Sequence, residues 1–473
     1  MDEELGGDAI GRLAADLSGA KLKDARRSAR AVQVLMRLAK KPNRSLPDAM
    51  ETGAEVEGAY RFFNNEAVGF EALMESHSNA VAARSVGLEP LLAIHDTTQV
   101  HFEKGDPKRI GYLATGKAGF LLHLTLLADV SESEWRRPLG VVHAETLRRR
   151  KRARRGKGKK SGSETAKWEG KESERWLRGV LASEERMKGK AAVIHVADRE
   201  SDQYGLLAPM VEASLRYVFR VKHDRVVQSE GERLHLRELV ERSEAVFERE
   251  VPLSRRLEQS APVARKTHPK REARIARLKV ACAAAELRRP NYYGDELPAH
   301  VAVNVVHVYE VDAPAGIAPV DWLLYTSEPI ETEAQLAKVV DYYRARWLIE
   351  ELNKALKTGC AVEMRELESY EALVNLIALS LPIAVELLAL RSLARSATDQ
   401  PASKLFSKGQ LDALRRRSYR PLPTNPTAKE ALWCIAGIGG HLKNNGDPGW
   451  QVLQRGMTDF LLFAAGWCAR EEK

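Results

Sequence analysis

The stretch that most constrains this 473-residue chain is YYRARWLIEELNKALK, residues 342–357. It is rich in Ala, Leu, Glu, Lys and Arg and meets no Gly or Pro until Gly359, so it is expected to be one helix. At about 100° per residue, Arg346, Glu350 and Lys357 fall at roughly 300°, 340° and 320° from Tyr343, and Lys354 near 20°. Five polar or aromatic groups thus share one narrow face, whereas Glu351, near about 80°, points elsewhere. A carboxylate flanked by Arg, Lys and Tyr suits a place where a metal ion and phosphates meet. The same residues would also serve a solvated helix supported by i,i+4 ion pairs.

Net charge alone says little about partners. The chain carries +9, but residues 148–160, RRRKRARRGKGKK, hold ten Lys or Arg and no acid; without them the balance is 64 − 65 = −1. Gly156, Gly158 and the SGSET segment after them make this run a loop, either solvated or touching phosphates non-specifically. Cys282, Cys360, Cys434 and Cys468 are scattered with no CxxC pair, which argues against a zinc site or disulfide framework and fits a reducing cytoplasm. MDEELGGDAI has no basic or apolar leader character. The apolar run Leu373–Leu390 is broken by Asn375, Ser380, Pro382 and Glu386, so a buried bundle helix is expected and no membrane partner.

In chain order, residues 10–42 read as one or two helices, with Arg26, Arg27 and Arg30 within KLKDARRSAR, and EGAYRFFNN (57–65) as another. A small DNA-contacting helical module and an ordinary exposed Arg face both fit them. LLAIHD (91–96) reads as a short strand ending in Asp96, followed by the alternating TTQVHF; FLLHLTLLADV and LGVVHAET continue one sheet. A helix over 172–188 leads to the buried strand AAVIHVAD, which ends in Asp198. RYVFRVKHDR is a further strand, 226–318 an inserted β subdomain, DWLLYTS a return to the sheet, and everything after 370 helical. The fold class is α/β, with 1–70 and 371–473 as helical flanks and 71–370 as the central domain.

Two aspartates ending buried strands and a glutamate on a helix after a third strand form the layout of a ribonuclease-H-like carboxylate cluster. Hard oxygen ligands suit Mg²⁺, and ions about 3.5–4 Å apart can clamp a phosphodiester. An Asp at a strand end, taken alone, is more often a cap or turn residue. With AIHDTT around Asp96, ADRESD around Asp198 and Y-x2-R-x3-E-x6-K from Tyr343 to Lys357, the chain resembles the insertion-sequence-four group of DDE transposases. GAYRFF, FRVKH (219–223) and DWLLYTSEP (321–329) extend the resemblance to about residue 370; beyond it only the helical character matches.

The resemblance implies a ribonuclease-H-like catalytic core. Asp96, Asp198 and Glu350 would be the catalytic, metal-binding triad, with two Mg²⁺ ions per site and Mn²⁺ as a substitute. Tyr343, Arg346 and Lys357 would hold phosphates, with Lys354 a neighbouring DNA contact and Arg220 a basic group near the site. Arg26, Arg27 and Arg30 would lie on the end-binding helix. Trp322, 343 − 322 = 21 residues before Tyr343, would stack on a flipped base, unless it is simply a core Trp at a strand start. Implied partners are double-stranded DNA, both terminal inverted repeats and target, and a second copy of the chain paired through residues 371–473. Cut-and-paste transposition is the implied reaction. The competing readings are a non-catalytic relic or inhibitor of transposition, a nuclease that cuts without joining, and an RNA-binding protein using the basic run.

Overall fold

Capping chemistry sets the helix boundaries. Asp24 accepts from Arg26 N to open Ala25–Lys40, Thr52 accepts from Glu55 N to open Gly53–Phe63, and a Thr332–Gln335 capping box opens Glu333–Ala345. The computed structural model describes residues 9–132, 135–150, 172–253, 270–395, 399–442 and 446–471; of the basic run, 151–160 lies outside them. The chain divides into two discontinuous units, Met1–Lys159 with Arg178–Val193 and Trp347–Lys473, and Lys160–Leu177 with Ile194–Arg346.

In the first unit β1 (Leu91–His101), β2 (Gly119–Asp129) and β3 (Arg137–Leu147) form antiparallel neighbours in the order β3-β2-β1. Asp96 does not end its strand: it sits mid-strand, opposite Leu124. No turn residue separates LLAIHD from TTQVHF, so the ladder runs on while the surroundings change from fully buried (91–95) to half-exposed at Asp96. Helix Phe70–Arg84 packs on β3 where Gly140, at φ 155°, leaves room; a Cβ there would lie 2.2 Å from Val81 Cγ2.

Helix Tyr370–Arg395 is long and apolar enough to cross a membrane, yet most of its apolar stretch is buried inside the protein. Its polar interruptions find partners inside the protein, although Asn375 Oδ1 is left without one among the described residues. Asn375 Nδ2 donates to Phe63 O and Val68 O, Ser380 Oγ donates to Leu376 O, and Arg12 pairs with Glu386 at 3.0 Å. Helices Lys408–Arg417, Ala428–Ile438 and Trp450–Glu471 share a core of Leu414, Leu432, Ile435 and Phe460.

The second unit carries β4 (Val193–Ala197), β5 (Arg216–Arg220), β6 (Val226–Ser229), β7 (Glu232–His235), β8 (Ala245–Leu253), β9 (Arg274–Arg288), β10 (His300–Val311) and β11 (Asp321–Thr326). The order is β4-β5-β11-β10-β9-β6-β7, with β8 also on β9; β4 and β5 are parallel. The expected β insertion at 226–318 is strand-rich, but its long strands extend this sheet, because β10 pairs directly with β11 and β9 with β10.

The expected single helix over 342–357 is three segments. Glu333–Ala345 closes at Arg346, whose N–H reaches back only three residues to Tyr343 O; Trp347–Lys354 follows, and Ala355–Gly359 is a π turn. A π turn inserts extra chain into the spiral, so a uniform angular step fails at Lys357. Helix propensity is silent on both irregularities.

Glu351 does point away from Glu350, and inward. It is 7% exposed, contacts the Arg391 guanidinium, and takes hydrogen bonds from Lys354 Nζ (3.1 Å) and Trp347 Nε1 (3.2 Å); Arg391 in turn lies 4.5 Å over the Trp450 ring. Glu351→Ala is expected to strand a buried guanidinium and cost about 3–5 kcal/mol, whereas Glu351→Leu with Arg391→Met should recover much of the loss. Urea unfolding of the purified protein measures both; wild-type stability in Glu351→Ala would refute the buried pair.

Candidate active site and DNA contacts

In the first unit, helix Trp347–Lys354 packs on β1, and the two are joined by a specific bond: Asn353 Nδ2 donates to Asp96 Oδ2 at 2.9 Å. Glu350 is half-buried one turn before Asn353. Asn353 is itself 8% exposed, and its Oδ1 is a buried acceptor without a partner. On the other side of β1, His95 meets Thr125 Oγ1 at 3.0 Å and Thr97 Oγ1 meets His123 at 2.9 Å, each pair directly opposed across β1 and β2. These pairs fix the strand's register and hence which face Asp96 takes.

The lysines expected to meet DNA are engaged within the protein. Lys357 Nζ donates to Gln99 O at 2.6 Å and lies 3.7 Å from Glu363 Oε1, while Glu363 accepts from His101 N at 3.0 Å, so the π turn is fastened to the end of β1. Lys354 bridges toward Glu351 and lies 5.0 Å over the exposed Trp347 ring. Burial pulls its ammonium below the ordinary pKa, and the Glu350 carboxylate pulls it back.

In the second unit Asp198 follows the last residue of β4, as expected, and caps the turn Arg199–Ser201 by accepting from Glu200 N at 2.9 Å. β5 runs parallel beside β4 with Phe219 opposite Ala197, which sets Arg220 next to Asp198 at one end of the sheet. Burial, then the Arg220 charge, push the Arg199 guanidinium below its ordinary pKa; Tyr343, Asp198 and Asp321 act in the opposite sense. Arg220 Nη2 donates to Asp321 O at 3.1 Å. The Asp321 carboxyl is held at about 2 by its hydrogen bond with His307 and by Arg237 at 3.0 Å. Trp322 is half-buried, and Tyr343, 5% exposed, meets it edge-on at 5.3 Å. The Tyr343 ring is therefore packed within the protein. Arg346 is half-buried in the turn that ends its helix.

Two residues escaped the sequence reading. Asn353 lies at roughly 280° from Tyr343, on the Arg346–Glu350 stripe, and that position was its only signal. Asp202, the second aspartate of ADRESD, is 8% exposed and accepts from Lys222 N (2.6 Å), His223 N (2.8 Å) and Arg225 Nη2 (2.7 Å), so it folds the segment after β5 and is not offered to a metal.

The N-terminal arginines are also unequal. Arg26 is exposed, its side chain 95% so; Arg27 Nη1 donates to Leu22 O at 2.5 Å; Arg30 donates to Gln33 Oε1 at 2.9 Å and lies so close to Gly58 that a Cβ there would come within 2.7 Å of its Nη1. Arg30 thus packs Ala25–Lys40 onto Gly53–Phe63, and Arg26 is the member of the trio that faces solvent.

Among the described residues, no three His, Cys, Asp or Glu side chains are grouped closely enough to hold a metal ion as they stand. Asp96, Glu350 and the unpartnered Asn353 Oδ1 nevertheless supply hard oxygen donors on adjoining elements, a donor chemistry that fits a divalent cation of the Mg²⁺ class.

Comparison with known proteins gives two family matches. Residues 12–68 match the transposase DNA-binding family, and residues 171–384, which contain Asp198 and Glu350, match the transposase DDE domain. Among solved structures, the chain is similar to the piggyBac transposase in a cryo-EM structure of its synaptic complex with hairpin DNA. That likeness has 9% identity and a TM-score of 0.34 over 98% of this chain and 80% of that one, too distant to carry an argument. The chain thus carries, on successive parts, a match to a transposase DNA-binding domain and a match to a transposase DDE domain, which support a DDE transposase.

Proposed function

We propose that this protein is a cut-and-paste DNA transposase of the insertion-sequence-four group, similar to the transposon-five transposase, with a ribonuclease-H-like core. The observation that carries the reading is the Asn353–Asp96 hydrogen bond, which locks the helix bearing Glu350 to the strand bearing Asp96. Asp198 is the third carboxylate of the set. Two divalent cations held by these three, Mg²⁺ or Mn²⁺, would supply activation of the attacking oxygen and neutralisation of charge on the phosphate.

The chain's own groups position the substrate. Asn353 fixes the orientation of the Asp96 carboxylate, as a hydrogen-bonded partner of a metal ligand does. Arg199 and Arg220 put positive charge beside Asp198, where a phosphodiester must approach. Lys354 and Lys357 exchange their present partners, Glu351 and Gln99 O, for phosphates, and Trp322 offers a ring on which a displaced base can stack. Arg346 lies between these groups in sequence and serves the same backbone. Arg26 provides the solvent-facing cation of the end-binding helix.

In the proposed sequence, water nicks the transposon end and the freed 3′-hydroxyl attacks the opposite strand to form a hairpin. A second water opens the hairpin, and the 3′-hydroxyl then joins target DNA. Each step is a phosphoryl transfer, so no covalent enzyme intermediate is required. Two copies of the chain, paired through the C-terminal helices, would act on the two ends.

Strand joining tests the reading, using purified protein, Mg²⁺ or Mn²⁺, a labelled terminal-repeat duplex and a plasmid target. Asp96→Ala, Asp198→Ala and Glu350→Ala are each expected to abolish cleavage while retaining end binding; cleavage surviving in one of them removes that residue from the site. Nicking without joining would mark a nuclease, and binding without cleavage a relic. Asn353→Ala should lower cleavage about 10–100-fold and raise the Mn²⁺ concentration needed for half-maximal rate, an effect that loss of stability alone does not produce.

A further inference from the structure

A second cationic site lies far from Asp198. In the second unit a cleft of about 590 Å³ opens between the β6–β7 hairpin and the junction of β9 with β10. Arg233, Arg288, Arg289 and His300 line it, against one carboxylate, Asp295, which Arg289 already engages. Arg288 and His300 are directly opposed across the ladder, and both are exposed, as is Arg233. Among the described residues, neither Arg233 nor Arg288 pairs with an acid. Two unneutralised guanidiniums facing one cleft repel each other unless an anion lies between them.

The cleft is also preformed. Arg289 ties down the 290–298 loop by donating to Leu297 O and through Asp295, while Tyr204 OH donates to Pro298 O at 2.7 Å. Tyr293 forms part of the wall, beside the same arginines, and meets the exposed Tyr292 ring in a tilted contact at 4.8 Å. Arginines lining one cleft with an aromatic ring are the pairing that nucleic-acid grooves use.

Strand polarity gives the position. Asp198 is level with Arg220 on β5, Arg220 opposes Leu324 on β11, and Leu324 opposes Val306 on β10, toward the far end of β10 from His300. The 306 − 300 = 6 residues of strand between that level and His300 span roughly 20 Å. A groove so placed cannot reach the cleaved phosphate, but it can hold duplex roughly six base-pair steps away at about 3.4 Å each.

We propose that this cleft binds the phosphodiester backbone of duplex DNA at a distance from the point of cleavage, with Arg233 and Arg288 as its principal phosphate contacts. The proposal rests on the DNA-transposase reading. The test is fluorescence anisotropy of the full-length protein with a labelled terminal-repeat duplex and with an unrelated duplex of equal length, across about 50–200 mM salt. Replacing two phosphate contacts, Arg233→Ala with Arg288→Ala, should reduce the slope of log affinity against log salt by about 1.8 on both sequences. The melting temperature should stay at the wild-type value, because both side chains are exposed. A wild-type slope in the double variant overturns the cleft as a DNA site. Wild-type protein that binds neither duplex would instead overturn the DNA-transposase reading, and the cleft proposal with it.

Discussion

The candidate site depends on one attachment, the seating of helix Trp347–Lys354 and its π turn on β1. Three side chains make it: Asn353 to Asp96 near the middle of the strand, Lys357 to Gln99 O, and Glu363 to His101 N at the strand's end. Without them Glu350 would ride on a short amphipathic segment of eight residues, too short to hold a direction by its own helical stability. The Glu351–Arg391–Trp450 cluster braces the same helix from behind, in a layer where any of those charges would be costly alone. The sequence EELNK therefore divides its labour, with Asn353 fastened to the strand while Glu351 and Lys354 make the brace.

Much of the fold was legible because its strands alternate and its helices are capped by Ser, Thr or Asp. β2, β3, β5, β10 and β11 lie where period-two alternation put them, and the strand before Asp198 ends where expected. Asp96 was legible as a residue but not in its setting. A run of polar residues looks like a strand end in one dimension, whereas the β1–β2 ladder carries it through with cross-strand His–Thr pairs. Asn353 was hidden because an amide belongs to no carboxylate template. Its role appears only when β1, more than 250 positions earlier, comes beside it.

The positively charged residues were the hardest to read. An arginine in sequence is equally a phosphate ligand and an internal strut, and contact decides. Arg30 fills the space left by Gly58, Arg27 closes on a carbonyl, and Arg26 extends into solvent. Conversely, Arg233 and Arg288 belong to no motif, and only the fold of β6, β7, β9 and β10 brings them to one cleft. Clusters drawn from distant strands leave no local spacing to detect.

The helix Tyr370–Arg395 has a consequence for how the chain is made. Its apolar window is kept from water partly by helices that lie after residue 407 in sequence, so during synthesis it leaves the ribosome before its cover exists. A product that stops near residue 400 would carry a long greasy stripe with nothing to lie against it, a target for chaperones or for aggregation. The last seventy residues therefore act as an intramolecular sheath, and a premature stop there would be expected to remove the protein from solution rather than merely shorten it.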